Sequence, residues 1–289
     1  MDNYVILDGK SLSKQIESKL ESEVSALKKQ NIFPLLCVIL VGDNPSSISY
    51  VNMKIRSCNK IGIRSKLVKF SIDITQDQLL NEIHRLNNDN DVCAILVQLP
   101  LPSHINKEII LESIDINKDV DGFHPYNLGR LYANIDGGFI PATPMGIITL
   151  LKHYEIDFEG KNVVIVGTSN IVGKPLAAMM INLGATVCMC NIFTRNLKEY
   201  TLRADILCVG VGKSKLITKD MVREDSIIVD IGINKKENNE IEGDVDFHNV
   251  KSIASFITPV PGGVGPMTIS SLLINTLKAA KLNTLKAME

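Results

Sequence analysis

Seven consecutive apolar residues, Leu35-Leu36-Cys37-Val38-Ile39-Leu40-Val41, constrain the fold more than any other stretch of this chain. Successive strand residues point to opposite faces, so a strand built from this run must be covered on both sides. Similar short runs recur at 92–97 (VCAILV), 162–166 (NVVIV), 186–190 (TVCMC), 205–210 (DILCVG) and 226–232 (SIIVDIG), with further strands at 64–70 and about 254–258. Helical patterns lie between them. The segment 10–30 carries Leu12, Ile16, Leu20, Val24 and Leu27 at helical spacing, 46–61 is opened by Asp43-Asn44-Pro45, and 75–88 follows. Apolar strands alternating with amphipathic helices predict an α/β fold with a parallel sheet covered by helices.

The theme restarts near residue 140. Thr143-Pro144 opens a helix over 146–154, another spans 174–183, and a closing helix runs from Met267 to about Ala280. At 289 residues the chain has room for two domains of about 100–150 residues each. The boundary is expected after residue 139, in the stretch DVDGFHPYNLGRLYANIDGGFIPATP, rich in Gly, Pro, Asn and Asp. This gives an N-terminal α/β domain over 1–139 and a Rossmann-type, doubly wound domain over 140–266.

Charge and composition narrow the partners. Lys and Arg number 31 against 32 Asp and Glu, so nothing advertises the basic patch of a nucleic-acid binder. No stretch approaches the roughly 20 apolar residues of a membrane span, and MDNYVILDGK lacks the basic flank and long apolar core of a signal peptide. Cys37, Cys58, Cys93, Cys188, Cys190 and Cys208 form no C-x-x-C pair and read as small hydrophobes in a reducing, cytoplasmic compartment. His84, His104, His124, His153 and His248 show no ligand spacing, so no metal is expected.

Chemistry concentrates at a few places. Gly167-Thr168-Ser169-Asn170-Ile171-Val172-Gly173 joins a strand to a helix, the geometry of a phosphate-binding turn, and equally of an ordinary strand–helix connection. Gly210-Val211-Gly212 and Gly232-Ile233 end two further strands, which brings three glycine-bearing turns to one sheet edge. Tyr50 and Lys54 share a helix face at i and i+4. Gln98 ends a strand in Q-L-P-L-P, and Asp119-Val120-Asp121-Gly122 alone reads as a surface turn.

Taken in order, YVNMK (50–54), VQLPLP (97–102), KDVDGFHPYNLGRL (118–131), GTSNIVGKP (167–175) and TPVPGGVGPMT (258–268) resemble the bifunctional methylenetetrahydrofolate dehydrogenase/methenyltetrahydrofolate cyclohydrolase family. The match runs from Asp8-Gly9-Lys10 to the closing helix. The resemblance implies an active site in an interdomain cleft, an N-terminal domain completed by the closing helix 267–289, and usually a homodimer. The implied reaction oxidises 5,10-methylenetetrahydrofolate with NADP, then hydrolyses the product to 10-formyltetrahydrofolate. The family's essential lysine falls on Lys54, with Tyr50, Gln98 and the pterin-binding carboxylate Asp121 around it. Val97, Leu99, Pro261, Gly262, Gly263 and Val264 fall among substrate contacts, and Gly167, Thr168, Ser169, Gly173, Ile192, Arg195 and Ile233 around the cofactor. Many relatives carry His, then Arg or Ser, where Asn191 and Ile192 stand here, so Arg195 is the nearest fixed positive charge for a ribose phosphate. Two other readings remain open: an NAD(P) oxidoreductase of the same plan acting on an amino or keto acid, and a silent binding module.

Overall fold

The structure is a computed structural model that describes residues 4–236 and 240–286. It divides into two compact units, Gln15–Ala142 with 269–286, and Thr143–Thr268 with 4–14. In chain order, strand β1 (Val5–Ile6) precedes helix α1 (Gly9–Lys29), β2 (Leu35–Val41), α2 (Pro45–Lys60), β3 (Arg64–Phe70), α3 (Gln76–Asn87) and β4 (Ala94–Val97). Then come α4 (Lys107–Glu112), α5 (Pro125–Tyr132), α6 (Ala142–His153), β5 (Asn162–Val166), α7 (Gly173–Asn182), β6 (Thr186–Cys190) and α8 (Leu197–Thr201). Strands β7 (Ile206–Val209), β8 (Ile227–Asp230), β9 (Asn234–Lys235) and β10 (Ile241–Glu242) lead to α9 (Phe247–Val250), β11 (Phe256–Ile257) and α10 (Val264–Lys286).

In the first unit, β2 is the centre of a three-stranded parallel sheet ordered β3-β2-β4. Its side chains alternate as the apolar run requires. Leu36, Val38 and Leu40 pack with Val24, Leu27, Val51, Leu273 and Leu277, while Cys37, Ile39 and Val41 pack with Leu79, Ile83, Leu86 and Ile110. Burying each large aliphatic side chain is worth ~1.5–3 kcal/mol, so both layers of helices are held by β2 alone to a considerable degree. The Asn44 side chain accepts the N–H groups of Ser46 and Ser47 at 3.0 and 3.1 Å, and Pro45 fills the first helical position. That cap sets where α2 begins, and therefore which face carries Tyr50 and Lys54.

The second unit holds a six-stranded parallel sheet in the order β1-β11-β8-β7-β5-β6. The chain leaves β5 for the edge strand β6, then returns across β5 to β7. Ligands of open α/β sheets bind beyond the carboxyl ends of the strands at such a reversal. Val164, Val166, Leu207, Val209, Ile228 and Ile257 form the core on one face.

Two boundaries differ from expectation. Residues 4–14 belong with the second unit rather than with 15–142, because β1 pairs in parallel with β11 and the Asp8 N–H donates to the Tyr154 hydroxyl at 2.9 Å. The closing helix begins at Val264, three residues before Met267 and one turn inside the glycine-rich loop, and extends to Lys286. Among the described residues no helix is long and apolar enough to cross a membrane. Cys37, Cys58, Cys93, Cys190 and Cys208 are buried, Cys188 is half-buried, and all are free thiols.

Candidate active site

Three elements of the first unit converge on Lys54. Strand β2 feeds α2, which carries Tyr50 and Lys54 one turn apart, and the Lys54 Nζ lies 5.6 Å from the centre of the Tyr50 ring. Strand β4, paired with β2, ends at Val97, and the next residue, Gln98, accepts on its Oε1 from Lys54 Nζ at 3.1 Å. The Gln98 Nε2 donates to the Leu99 carbonyl at 2.7 Å, which fixes the amide with its oxygen toward the lysine. One amide donor is therefore already committed to the loop, and only the other is left for water. Asp119 bridges to Ile95 of β4, and this places Asp121 just beyond the same strand end.

The electrostatics follow from burial. Lys54 is only 7% exposed. Loss of water pulls its ammonium below the usual lysine range, and the nearby Asp121 charge partly offsets this. Burial pushes the Asp121 carboxyl up to about 6, with Lys54 pulling it down and Asp119 pushing it further up. Burial and Asp121 likewise raise the Tyr50 hydroxyl. A lysine whose proton is loosened by burial, beside a carboxylate raised to about 6, has the chemistry to exchange a proton near neutral pH.

The loop carrying Asp121 is built by two residues that a sequence pattern does not single out. Lys118, buried, donates from Nζ to the carbonyls of Leu86, Asn87 and Asp89 at 3.0, 2.7 and 2.8 Å, closing the C-terminal end of α3. Asp119, only 1% exposed, accepts the N–H groups of Gly122, Phe123 and His124 and the Asn127 amide. The expected surface turn at 119–122 is instead anchored in the interior. Its carboxylate is satisfied by amides from the very residues that follow it.

In the second unit, the Gly167 turn closes β5 and opens α7 beside the β5–β7 reversal. Gly167 has φ of +123°, and a side chain on Gly173 would meet the Gly167 carbonyl oxygen at 2.0 Å. The helix N-terminus thus sits directly on the turn, as anion binding by main-chain N–H groups requires. Gly173→Ala is expected to lower stability by about 1–3 kcal/mol through overpacking. A lower urea midpoint at an unchanged slope checks it. Thr168 is half-buried and Ser169 exposed, with the Ser169 Oγ accepting the Val172 N–H at 3.2 Å.

Ile233 is 51% exposed on the turn after β8, while Ile192 is 92% exposed beyond β6 with Arg195 exposed nearby. The Asn191 side chain accepts from the Phe193 N–H and Thr194 Oγ1 accepts from the Asn191 N–H, so this turn is held by its own polar groups. Gly262, Gly263 and Val264 lie at the start of α10, with Gly262 at φ +115° and Pro261 exposed before them. Gly262, Gly263 and Val264 belong to the second unit, and the Lys54 cluster belongs to the first.

Family comparisons bear on both units. A tetrahydrofolate dehydrogenase/cyclohydrolase catalytic-domain model matches residues 7–121, and that family's NAD(P)-binding-domain model matches 141–284. The chain belongs to the tetrahydrofolate dehydrogenase/cyclohydrolase family. The bifunctional protein FolD of Helicobacter hepaticus is 56% identical over 275 residues, covering 95% of this chain and 96% of that one. The crystal structure of the bifunctional FolD enzyme from Campylobacter jejuni aligns with a TM-score of 0.95 at 53% identity, covering 96% of this chain and 99% of that one. The Trypanosoma brucei enzyme, solved with NADP cofactor and an inhibitor, aligns with a TM-score of 0.94 at 32% identity, covering 97% of this chain and 98% of that one. The family model assigns 269–284 to the nucleotide domain, whereas Leu272, Leu273 and Leu277 pack in the core of the first unit.

Proposed function

We infer that this chain is a methylenetetrahydrofolate dehydrogenase and methenyltetrahydrofolate cyclohydrolase. It oxidises 5,10-methylenetetrahydrofolate to 5,10-methenyltetrahydrofolate with NADP, then hydrolyses the product to 10-formyltetrahydrofolate. Family membership carries the reaction. The observation that carries the site is the buried Lys54 ammonium held 3.1 Å from Gln98 Oε1 beside Asp121.

In this reading Lys54 takes and returns a proton at the one-carbon bridge and steers water onto the methenyl carbon. Gln98 fixes the ammonium, and Asp121 accepts the paired amino and ring N–H donors of the pterin. Tyr50 presents its ring for stacking. The resemblance assigns substrate contacts to Val97 and Leu99 of the first unit, Val97 through its backbone because its side chain is in the core, and to the backbone of Pro261, Gly262, Gly263 and Val264 of the second. The chemistry that bound NADP supplies is hydride acceptance. The Gly167–Gly173 turn suits its phosphates, because the close approach of Gly173 to Gly167 leaves a cradle of main-chain groups at a helix start. Thr168, Ser169, Ile192, Arg195 and Ile233 are proposed to flank it. Formation of NADPH from methylenetetrahydrofolate, followed by absorbance, tests the first step, and its absence would refute the assignment.

NADP preference over NAD is assigned to Arg195, since no acid stands at the end of β6 to repel a ribose phosphate. Arg195→Ala is expected to narrow the ratio of efficiencies with NADP and NAD by about fivefold, the scale of an exposed ionic contact. An unaltered ratio would remove Arg195 from the site. We place the enzyme in the cytoplasm as a homodimer; the free, mostly buried cysteines support a reducing compartment, and the resemblance supports the dimer.

A further inference from the structure

Two buried carboxylates in the second unit have no part in the reading above. Asp244 is fully buried, and its Oδ2 accepts the N–H groups of Val211 and Gly212 at 2.6 and 3.0 Å. Its Oδ1 accepts from Asn234 Nδ2 at 2.8 Å. Asp230, 3% exposed, accepts the N–H groups of Gly232 and Asp244 on Oδ1 at 3.0 and 2.9 Å, and that of Val245 on Oδ2 at 2.9 Å. Each of these donors is an amide, not a lysine or an arginine. A side chain on Gly243 would fall 1.8 Å from Asp230 Oδ2, and one on Gly232 would fall 2.2 Å from Asp244 Cγ. Both glycines are therefore needed for the carboxylates to enter.

The two carboxylates tie together the turns that end neighbouring strands. Val211 and Gly212 follow β7, and Gly232 and Asn234 flank Ile233 after β8. Asp244 grips the first turn directly. It reaches the second through the Asn234 amide and through Asp230, which holds the Asp244 main chain and the Gly232 N–H together. The Gly210 carbonyl in turn lies against Gly167, where a side chain would approach it to 2.5 Å. The turns after β7 and β8 are thus held by the two acids together, with Asp244 in contact with both, and the Gly167 turn packs against the first of them.

We propose that Asp244 is a positioning residue for the dehydrogenase step, holding the turns after β7 and β8 in the arrangement that receives the dinucleotide. The assignment rests on the cofactor reading given above. A carboxylate serves better than an amide here, because its charge strengthens all three hydrogen bonds. Asparagine offers the two main-chain N–H groups a neutral acceptor and sets an NH2 toward the Asn234 amide, which must then turn over to accept it.

The experiment compares wild type, Asp244→Asn and Asn234→Ala by dehydrogenase kinetics with NADP, and by hydrolysis of supplied methenyltetrahydrofolate, which consumes no NADP. For Asp244→Asn the KM for NADP is expected to rise about tenfold with kcat within about threefold, the pattern of lost ground-state binding. Hydrolysis should stay within about twofold of wild type. Asn234→Ala, which spares the main-chain contacts, should raise the same KM by about threefold. An unchanged KM in folded Asp244→Asn overturns the proposal, as does parallel loss of hydrolysis, which would mark a general structural defect. If Asp244→Asn does not fold, the Asn234→Ala value decides: a raised KM sustains the proposal and an unchanged one overturns it. Failure of wild type to reduce NADP would instead overturn the underlying functional reading.

Discussion

Lys54→Met is expected to reduce methenyl hydrolysis by ~10²–10⁴-fold, the usual contribution of a positioned acid or base, while NADP binding stays at the wild-type level. Methionine keeps the length and apolar stem of the lysine, so packing beside Val51 and Cys58 in the same helix survives. Gln98 loses one donor, yet it is only half-buried, so water can replace the ammonium at Oε1. The protein should therefore fold. A second effect separates electrostatic coupling from simple loss of a side chain. Burial lifts the Asp121 carboxyl, and the Lys54 charge opposes that rise and holds it at about 6. Its removal must move Asp121 titration upward, so acid weakening of folate binding should begin at a higher pH than in wild type. A well-folded Lys54→Met protein that keeps most of its hydrolysis would end the proton-handling role.

The fold was legible wherever one element had to satisfy two faces. The run at 35–41 is the observed strand β2, residue for residue: six of its seven residues are buried and Leu35 is half-buried, as a strand covered on both faces requires. The missed helix starts share a physical cause. Both α6 and α10 begin two residues before a proline, at Ala142 and Val264, whereas the sequence pattern places their starts after those prolines, at 146 and Met267. Proline lacks an N–H that the first helical turn does not use, so it belongs inside the start of a helix. Strand β1 escaped notice for another reason. It has two residues, too few for any period, and its partner lies some 250 positions away at Phe256 and Ile257.

The candidate site divides in the same manner. Tyr50 and Lys54 were readable because helical spacing alone puts them together, and Gln98 because a strand end is marked by its apolar run. Asp119, Asp230 and Asp244 were not. Most of their donors are main-chain N–H groups, which every residue but proline possesses, so little in the side-chain pattern distinguishes these acids from surface turns. A local hint is glycine: Gly232 and Gly243 leave room for the carboxylates of Asp244 and Asp230, while Gly122, which donates its N–H to Asp119, leaves room for the backbone at Ile140 and Pro141.

Asp121→Asn is expected to weaken folate binding by about 1.5–3 kcal/mol, the scale of a hydrogen bond to a charged group, with NADP affinity unaltered. The pterin offers two parallel donors, and an ionised carboxylate meets them with two acceptors. Asparagine keeps one acceptor and opposes the other donor with its own NH2. The same logic gives wild type a pH dependence. Burial raises the Asp121 carboxyl to about 6, so the group is ionised above that value and gains a proton as pH falls through it. The protonated acid has the donor pattern of asparagine. Wild-type affinity should accordingly fall between about pH 7 and 5 toward that of the variant, whereas Asp121→Asn should be flat across the window. Calorimetric titration with a stable folate at three pH values distinguishes the cases. A pH dependence that persists unchanged in the variant would assign the titration to another group, and equal affinities at pH 7.5 would remove Asp121 from the pterin site.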